Sequence, residues 1–193
     1  MNVLIVDDDE VDREHIKRIL MKSNDSFDVV EAESVETGIT LYDESKFDII
    51  LLDFSMPRRD GIELLIEFRG RPKETGAAII MMSHSQDDAL ASQCILEGAQ
   101  DFIIKSEITE ESLRRSIIYA KARFKLELRL YQATEDKKNL EEKDALTGLA
   151  NRNYFSQILS IALKNAETGF IKIGLVLIDI DNFKLINDSM GYG

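Results

Sequence analysis

Ile49, Ile50, Leu51 and Leu52 form an unbroken run of branched apolar residues that ends at Asp53, with Pro57 close behind. A run this short and this apolar suits a strand covered on both faces, the condition of a central strand in a parallel sheet. Proline has no N–H to give to a ladder, so pairing stops before it. A carboxylate at the C-terminal end of such a strand stands where open α/β sheets place their chemistry. The same carboxylate could equally cap the next turn, and this stretch alone does not separate the two.

The first part of the chain repeats the pattern. Asn2 to Val6 is an apolar run ended by Asp7, Asp8 and Asp9; Asp28 to Glu31 suits a second strand; Ala77 to Met82 ends in Ser83, and Phe102 to Ile104 ends in Lys105. Helical spacing fills the intervals: Val11 to Lys22, a helix capped by Ser34 and running to Glu44, Ile62 to Phe68 after a turn over Pro57 to Gly61, and Asp87 to Glu97, closed by Gly98. Strands alternating with helices require crossover connections and hence a parallel sheet. Five such units in roughly 120 residues predict one doubly wound α/β domain.

A different segment follows. From Thr109 to about Lys143 there is neither glycine nor proline, and Leu113, Ile117, Ala120, Phe124, Leu128 and Tyr131 recur every three or four residues. This predicts one long amphipathic helix, its first turns packed on the sheet and the rest free to form a coiled-coil seam. The step from Phe124 to Leu128 interrupts strict heptads, and Glu135 and Lys138 end the stripe. A second α/β pattern starts at Asp144: Asn151 caps a helix to about Glu167, Phe170 to Ile180 reads as a strand, and Phe183 to Met190 starts another helix. One strand and so little helix cannot bury a core of their own, so this segment is expected to be a piece of a larger domain.

Composition narrows the function. A net charge of −12 argues against general binding to DNA or to anionic lipid, and a single cysteine, Cys94, excludes an internal disulfide or a cysteine-based zinc site. The amino terminus lacks a signal peptide's basic start and long apolar core, and no run is long enough to span a bilayer. The expectation is a soluble protein of a reducing cytoplasm.

A doubly wound sheet gathers its strand ends at one edge, here bringing together Asp7, Asp8, Asp53, Ser83 and Lys105. Three carboxylates at close range require a cation, and oxygen-only ligation suits Mg²⁺. Such a cation offsets the repulsion and keeps Asp53 ionised as a nucleophile. A phosphoryl group on Asp53 then finds partners in the cation, the Ser83 hydroxyl and the Lys105 ammonium. Taken singly, the aspartates and Ser83 read as caps and Lys105 as a solvated charge; it is the complete set that points to chemistry.

LIVDDDE, LLDFSMPRRDG, the strand-ending Ser83 and GAQDFIIK, at this spacing, make residues 1 to about 120 resemble the receiver domain of two-component response regulators. The resemblance implies a flavodoxin-like fold in which Asp53 takes a phosphoryl group from a sensor histidine kinase or a phosphotransfer protein. It implies Mg²⁺ held by Asp7, Asp8, Asp53 and the Ser55 carbonyl, with Ser83 as switch hydroxyl and Phe102 as switch aromatic. Two positions depart from the family pattern: Ser106 stands where proline is common, and His84 where a small residue is common after the switch hydroxyl. A side chain as large as His84 there would alter the access of water to an acyl phosphate; a solvent-facing His84 is the plainer reading. The linker helix and the receiver are expected to form a homodimer.

DALTGLANR followed by LVLIDIDNFKLINDSMGYG resembles the start of GGDEF domains, the diguanylate cyclases, over residues 144 to 193. The resemblance implies metal ligation by Asp179 and the Ile180 carbonyl, and GTP contacts from Phe183, Lys184 and Asn187. The GGDEF signature itself is absent from these 193 residues. Two functions of different class follow: a phosphorelay regulator with cyclic di-GMP output in the intact protein, or a phosphorylation-dependent dimerisation module whose C-terminal segment is vestigial. On either reading the purified 193-residue chain is expected not to convert GTP to cyclic di-GMP, and product formation by it would refute this.

Overall fold

The computed structural model describes residues 1–23, 26–57, 59–71, 76–167, 169 and 172–182. The expected helix from Phe183 lies outside them, as do Phe183, Lys184 and Asn187. The chain divides into two compact units, Met1–Ala133 and Thr134–Gly193.

In the first unit, β1 (Asn2–Val6), β2 (Asp28–Ala32), β3 (Ile49–Asp53), β4 (Ala78–Ser83) and β5 (Asp101–Ile104) form a parallel sheet in the order β2-β1-β3-β4-β5. The helices are α1 (Glu10–Lys22), α2 (Val35–Glu44), α3 (Gly61–Arg69), α4 (Asp88–Leu96) and α5 (Glu110–Glu142). The two-residue period of a strand sends Leu4, Val6, Ile50, Leu52, Ile79 and Met81 into a core with Val35, Leu64, Leu65 and Phe68 of α2 and α3 and Cys94 of α4. Val3, Ile5, Ile49, Leu51, Ile80 and Met82 enter a second core with Ile16 and Leu20 of α1 and Leu113, Ile117 and Ala120 of α5. That double covering is why β3 reads as continuously apolar, and all five of its residues are buried. Each of its aliphatic side chains contributes about 1.5–3 kcal/mol by leaving water. Asp53, equally buried at the strand's end, is a cost that other groups must offset.

Local chemistry sets the helix starts. Asp9 Oδ1 accepts from the Val11 N–H at 2.8 Å, Asp60 Oδ1 from Glu63 at 2.9 Å, and Asp87 Oδ1 from Ala89 at 2.8 Å. Ser34 Oγ accepts from Thr37 at 3.1 Å, as the sequence led us to expect. Since Asp9 is the cap of α1, Asp7 and Asp8 are left for other work. Thr109 and Ser112 cap each other's backbone N–H at the start of α5, at 3.1 and 2.8 Å. Leu113, Ser116, Ile117 and Ala120 of α5 are buried, whereas Leu126 and Leu130 are exposed, so the first turns do pack on the sheet.

In the second unit the chain turns between residues 143 and 151 into α6 (Arg152–Glu167). Asp144 Oδ1 holds the Thr147 N–H at 2.9 Å, and Asn151 Oδ1 accepts from the Tyr154 N–H at 2.9 Å, so Asn151 is the expected cap. Of the strand expected over Phe170 to Ile180, Phe170 and Ile171 lie outside the described residues; residues 172–180 have no regular structure, and Leu177 is 94% exposed. A strand exists only by pairing, and among the described residues no ladder forms here to take up its N–H and C=O groups. Apolarity alone therefore does not make a strand. Among the described residues, no helix is long and apolar enough to cross a membrane.

Gly61 ties the start of α3 to the end of β3. Its N–H donates to Phe54 O at 2.9 Å, and a Cβ there would sit 2.2 Å from Asp53 O and 2.9 Å from Phe54 Cα. Gly61→Ala is expected to cost about 1–3 kcal/mol in urea denaturation, because the neighbour is backbone and cannot yield cheaply. A variant as stable as wild type would contradict this packing.

Candidate active site at the strand ends

The chain leaves β1 for β2 on one side and returns to β3 on the other, so the order reverses between β1 and β3. Crevices form at such a reversal. Asp7 follows β1 and Asp53 ends β3; both are buried, and Asp8 beside them is exposed. One oxygen from each of Asp7, Asp8 and Asp53 lies within 4.8 Å of the other two.

Lys105 reaches this pair from the 3₁₀ turn Lys105–Glu107 that follows β5. Its Nζ is 2.8 Å from Asp7 Oδ2, 2.9 Å from Asp53 Oδ1 and 2.8 Å from Asp12 Oδ2. The aligned hydrogen bond goes to Asp12. Asp7 Oδ2 and Asp53 Oδ1 are ion-paired to the ammonium but receive no hydrogen bond, although both are buried. Buried carboxylate oxygens in that condition carry a desolvation cost that a hard, oxygen-seeking cation relieves. The donor set of Asp7, Asp8 and Asp53 therefore fits a divalent metal such as Mg²⁺.

The electrostatics follow from burial. Desolvation raises Asp53 above the ordinary carboxylate range; Lys105 pulls it back only in part, and Asp8 adds to the rise. Desolvation likewise raises Asp7, opposed by Lys105 and reinforced by Asp53. Burial would lower Lys105, but the carboxylates of Asp12, Asp7 and Asp53 around it outweigh that and hold the ammonium above its ordinary value. Asp12, nearer the rim, moves the other way. Burial pushes it up, yet Lys105 and His84 together hold it below the usual range.

Ser83, the last residue of β4, is buried, and its Oγ accepts from the Ser85 N–H at 3.1 Å. The preceding Met82 pairs with Asp53 in the sheet, which sets Ser83 at the same edge. Ser55 lies exposed in the loop after β3. Phe102 is half-buried on β5 opposite Met81 and borders a surface groove shared with Ile95, Arg123 and Leu126. His84 is exposed, as the plainer reading had it, but its Nε2 lies 3.1 Å from Asp12 Oδ2. Asp179 and Ile180 fall in the exposed, irregular stretch of the second unit.

Asp12 and Arg13 also take part, though nothing in their residue types sets them apart. Asp12 stands in the first turn of α1, and helical side chains lean toward the N-terminus, which here means toward the strand ends. Arg13, its neighbour, donates from Nη1 to Asp7 O at 2.8 Å and fixes the backbone that carries Asp7. The usable signal was position: both lie within one turn of the acidic cluster, on the helix that begins there.

The family model for the response regulator receiver domain matches residues 3–118, and that for the diguanylate cyclase GGDEF domain matches residues 141–193. The chemotaxis protein CheY of Listeria monocytogenes is 39% identical over 105 residues, covering 54% of this chain and 86% of that protein. A cyclic di-GMP phosphodiesterase of Thermotoga maritima is 32% identical over 120 residues, covering 62% of this chain but only 31% of that protein. Among solved structures, a probable two-component system response regulator/GGDEF domain protein superposes with a TM-score of 0.58 at 26% identity, over 65% of this chain and 50% of that one.

In metal-free protein at pH 7, Asp53→Asn is expected to raise stability by about 1–2 kcal/mol, since it removes a buried carboxylate that burial disfavours. A carboxyl raised above 3.8 favours folding fully below that value and loses the contribution as pH rises through its own higher pKa. The gain from Asp53→Asn should therefore shrink in acid. Saturating Mg²⁺ should stabilise wild type by about 1–3 kcal/mol and the variant by less. Urea melts with and without Mg²⁺ measure both, and a destabilised variant at pH 7 without metal would contradict the account.

Proposed function

The chain belongs to the response regulator receiver domain family, and from that premise we propose that Asp53 accepts a phosphoryl group from the phosphohistidine of a histidine kinase or phosphotransfer protein. The observation that carries this reading is the Lys105 ammonium held between Asp53 and Asp7, two buried carboxylates with oxygens still lacking hydrogen bonds. An Asp53 oxygen attacks phosphorus, a P–O bond forms as the P–N bond breaks, and the donor imidazole leaves. Lys105 meets the charge on one transferred oxygen and the Ser83 hydroxyl meets another. Asp7, Asp8, Asp53 and the Ser55 carbonyl would hold Mg²⁺, which neutralises charge on the transferring group when bound.

Phosphorylation adds charge and acceptor oxygens at the strand ends. Ser83 then turns from the Ser85 N–H toward the phosphoryl group, and Phe102 moves in from its half-buried position. The result is a shift of population between two packings of the α4–β5–α5 surface. α5 passes without interruption from the receiver, about residues 1–120, through a linker over 109–143. It delivers the change to the segment 144–193, and pairing of two linker helices in a homodimer would sense it. In the whole protein the output is synthesis of cyclic di-GMP, with Asp179 and the Ile180 carbonyl on metal and Phe183, Lys184 and Asn187 on GTP. The GGDEF match over residues 141–193 supports this part of the reading.

Acetyl phosphate with Mg²⁺ is expected to label wild type and to leave Asp53→Asn unlabelled in phosphate-affinity electrophoresis. Lys105→Met should keep the acceptor but lose its response in the α4–β5–α5 amide resonances. Equal labelling of wild type and Asp53→Asn would defeat the assignment.

A further inference from the structure

Two donors from different strand ends converge on one oxygen of Asp12. Lys105 Nζ donates to Asp12 Oδ2 at 2.8 Å, and His84 Nε2 lies 3.1 Å from the same atom. An ionised carboxylate only accepts, so His84 meets it with Nε2–H. Asp12 lies outside the trio of carboxylates that could share a cation. It is a fourth anion, on α1 at the rim of the pocket, and it competes for the ammonium that Asp7 and Asp53 also need.

Resting on the phosphoacceptor reading of Asp53, we infer that Asp12 is a positioning residue for Lys105. It holds the ammonium toward α1 and opposes its transfer to the oxygens of a phosphoryl group. The phosphorylated state must draw Lys105 away from this hydrogen bond, so Asp12 lowers that state's stability. His84 tempers the effect, because a second donor on Oδ2 weakens the first. The exposed His84 side chain thus adjusts how firmly Asp12 keeps Lys105.

Beryllofluoride, which adds to a carboxylate as a phosphoryl mimic, tests this by calorimetric titration of the full chain in excess Mg²⁺. Asp12→Asn, nearly isosteric and partly exposed, is expected to bind it about two- to fivefold more tightly than wild type, the range for a rim ion pair. His84→Ala, which leaves Oδ2 to Lys105 alone, is expected to bind more weakly than wild type. The signature of positioning is the Lys105 Cε–Hε resonance of the free protein, which Asp12→Asn should shift. Unchanged or weaker binding by Asp12→Asn would overturn the inference, as would tighter binding by His84→Ala. Tighter binding by Asp12→Asn with an unmoved Lys105 resonance would overturn it too, reducing Asp12 to a repelling charge. Failure of the phosphoacceptor reading would look different: wild type would not bind beryllofluoride, or Asp53→Asn would bind it equally well.

Discussion

Two carboxylates buried side by side at the ends of β1 and β3 are the constraint that the rest of the receiver unit answers. Neither Asp7 nor Asp53 is exposed enough to be solvated, and ionisation of each makes ionisation of the other harder. One ammonium, Lys105, stands within ion-pair distance of both. It comes from the far side of the sheet, beyond β4, so the site closes only when β5 has docked. Folding and the assembly of the charged cluster are therefore the same event. Removing Lys105 would leave both buried carboxylates uncompensated, whereas removing the Asp53 charge leaves the ammonium with Asp7 and Asp12.

The surrounding features hold that cluster in place. Arg13 fixes the Asp7 carbonyl, Gly61 lets α3 begin against the Asp53 carbonyl, and Asp9 caps α1 so that Asp7 and Asp8 need not. At the opposite edge of the sheet, a second polar cluster fixes where α5 departs. Arg69 donates to Gly98 O at 2.9 Å and to the Gln100 side chain, with its guanidinium over the Phe124 ring. Gln100 Nε2 reaches Glu127 at 3.1 Å. Burial lowers Arg69, and Glu127 opposes that shift. Ser116 of α5 bonds Asp101 of β5. α5 is thus tied to β5 by polar groups as well as by Leu113 and Ile117, and a change at β5 has a direct route into the helix.

Much of this was legible beforehand because periodicity and punctuation report on a strand's surroundings. The double covering of β3 shows in Ile49 to Leu52, and Gly98, at φ 107, marks the end of α4 as a glycine should. All five strands of the sheet were placed within a residue at either end, and Asp7, Asp8, Asp53, Ser83 and Lys105 do meet at one edge. What stayed hidden depends on contacts between distant segments. Asp12 looks like any acidic residue in a first helical turn until Lys105 and His84 arrive 93 and 72 residues later. Gln100 reads as a loop polar residue until the Ile79 N–H, Arg69 and Glu127 surround it. The irregular backbone over residues 172–180 has the same root: apolar composition states what a segment would bury, and only a partner strand makes it β.

Asp7, Asp53 and Lys105 form the buried cluster on which the proposed role of Asp53 as phosphoryl acceptor rests. Borohydride reduces an aspartyl phosphate to homoserine, which peptide mass mapping locates to a single residue. After incubation with a phosphoryl donor and Mg²⁺, homoserine is expected at position 53. Homoserine at Asp7, Asp8 or Asp12, or at none of them, would contradict it.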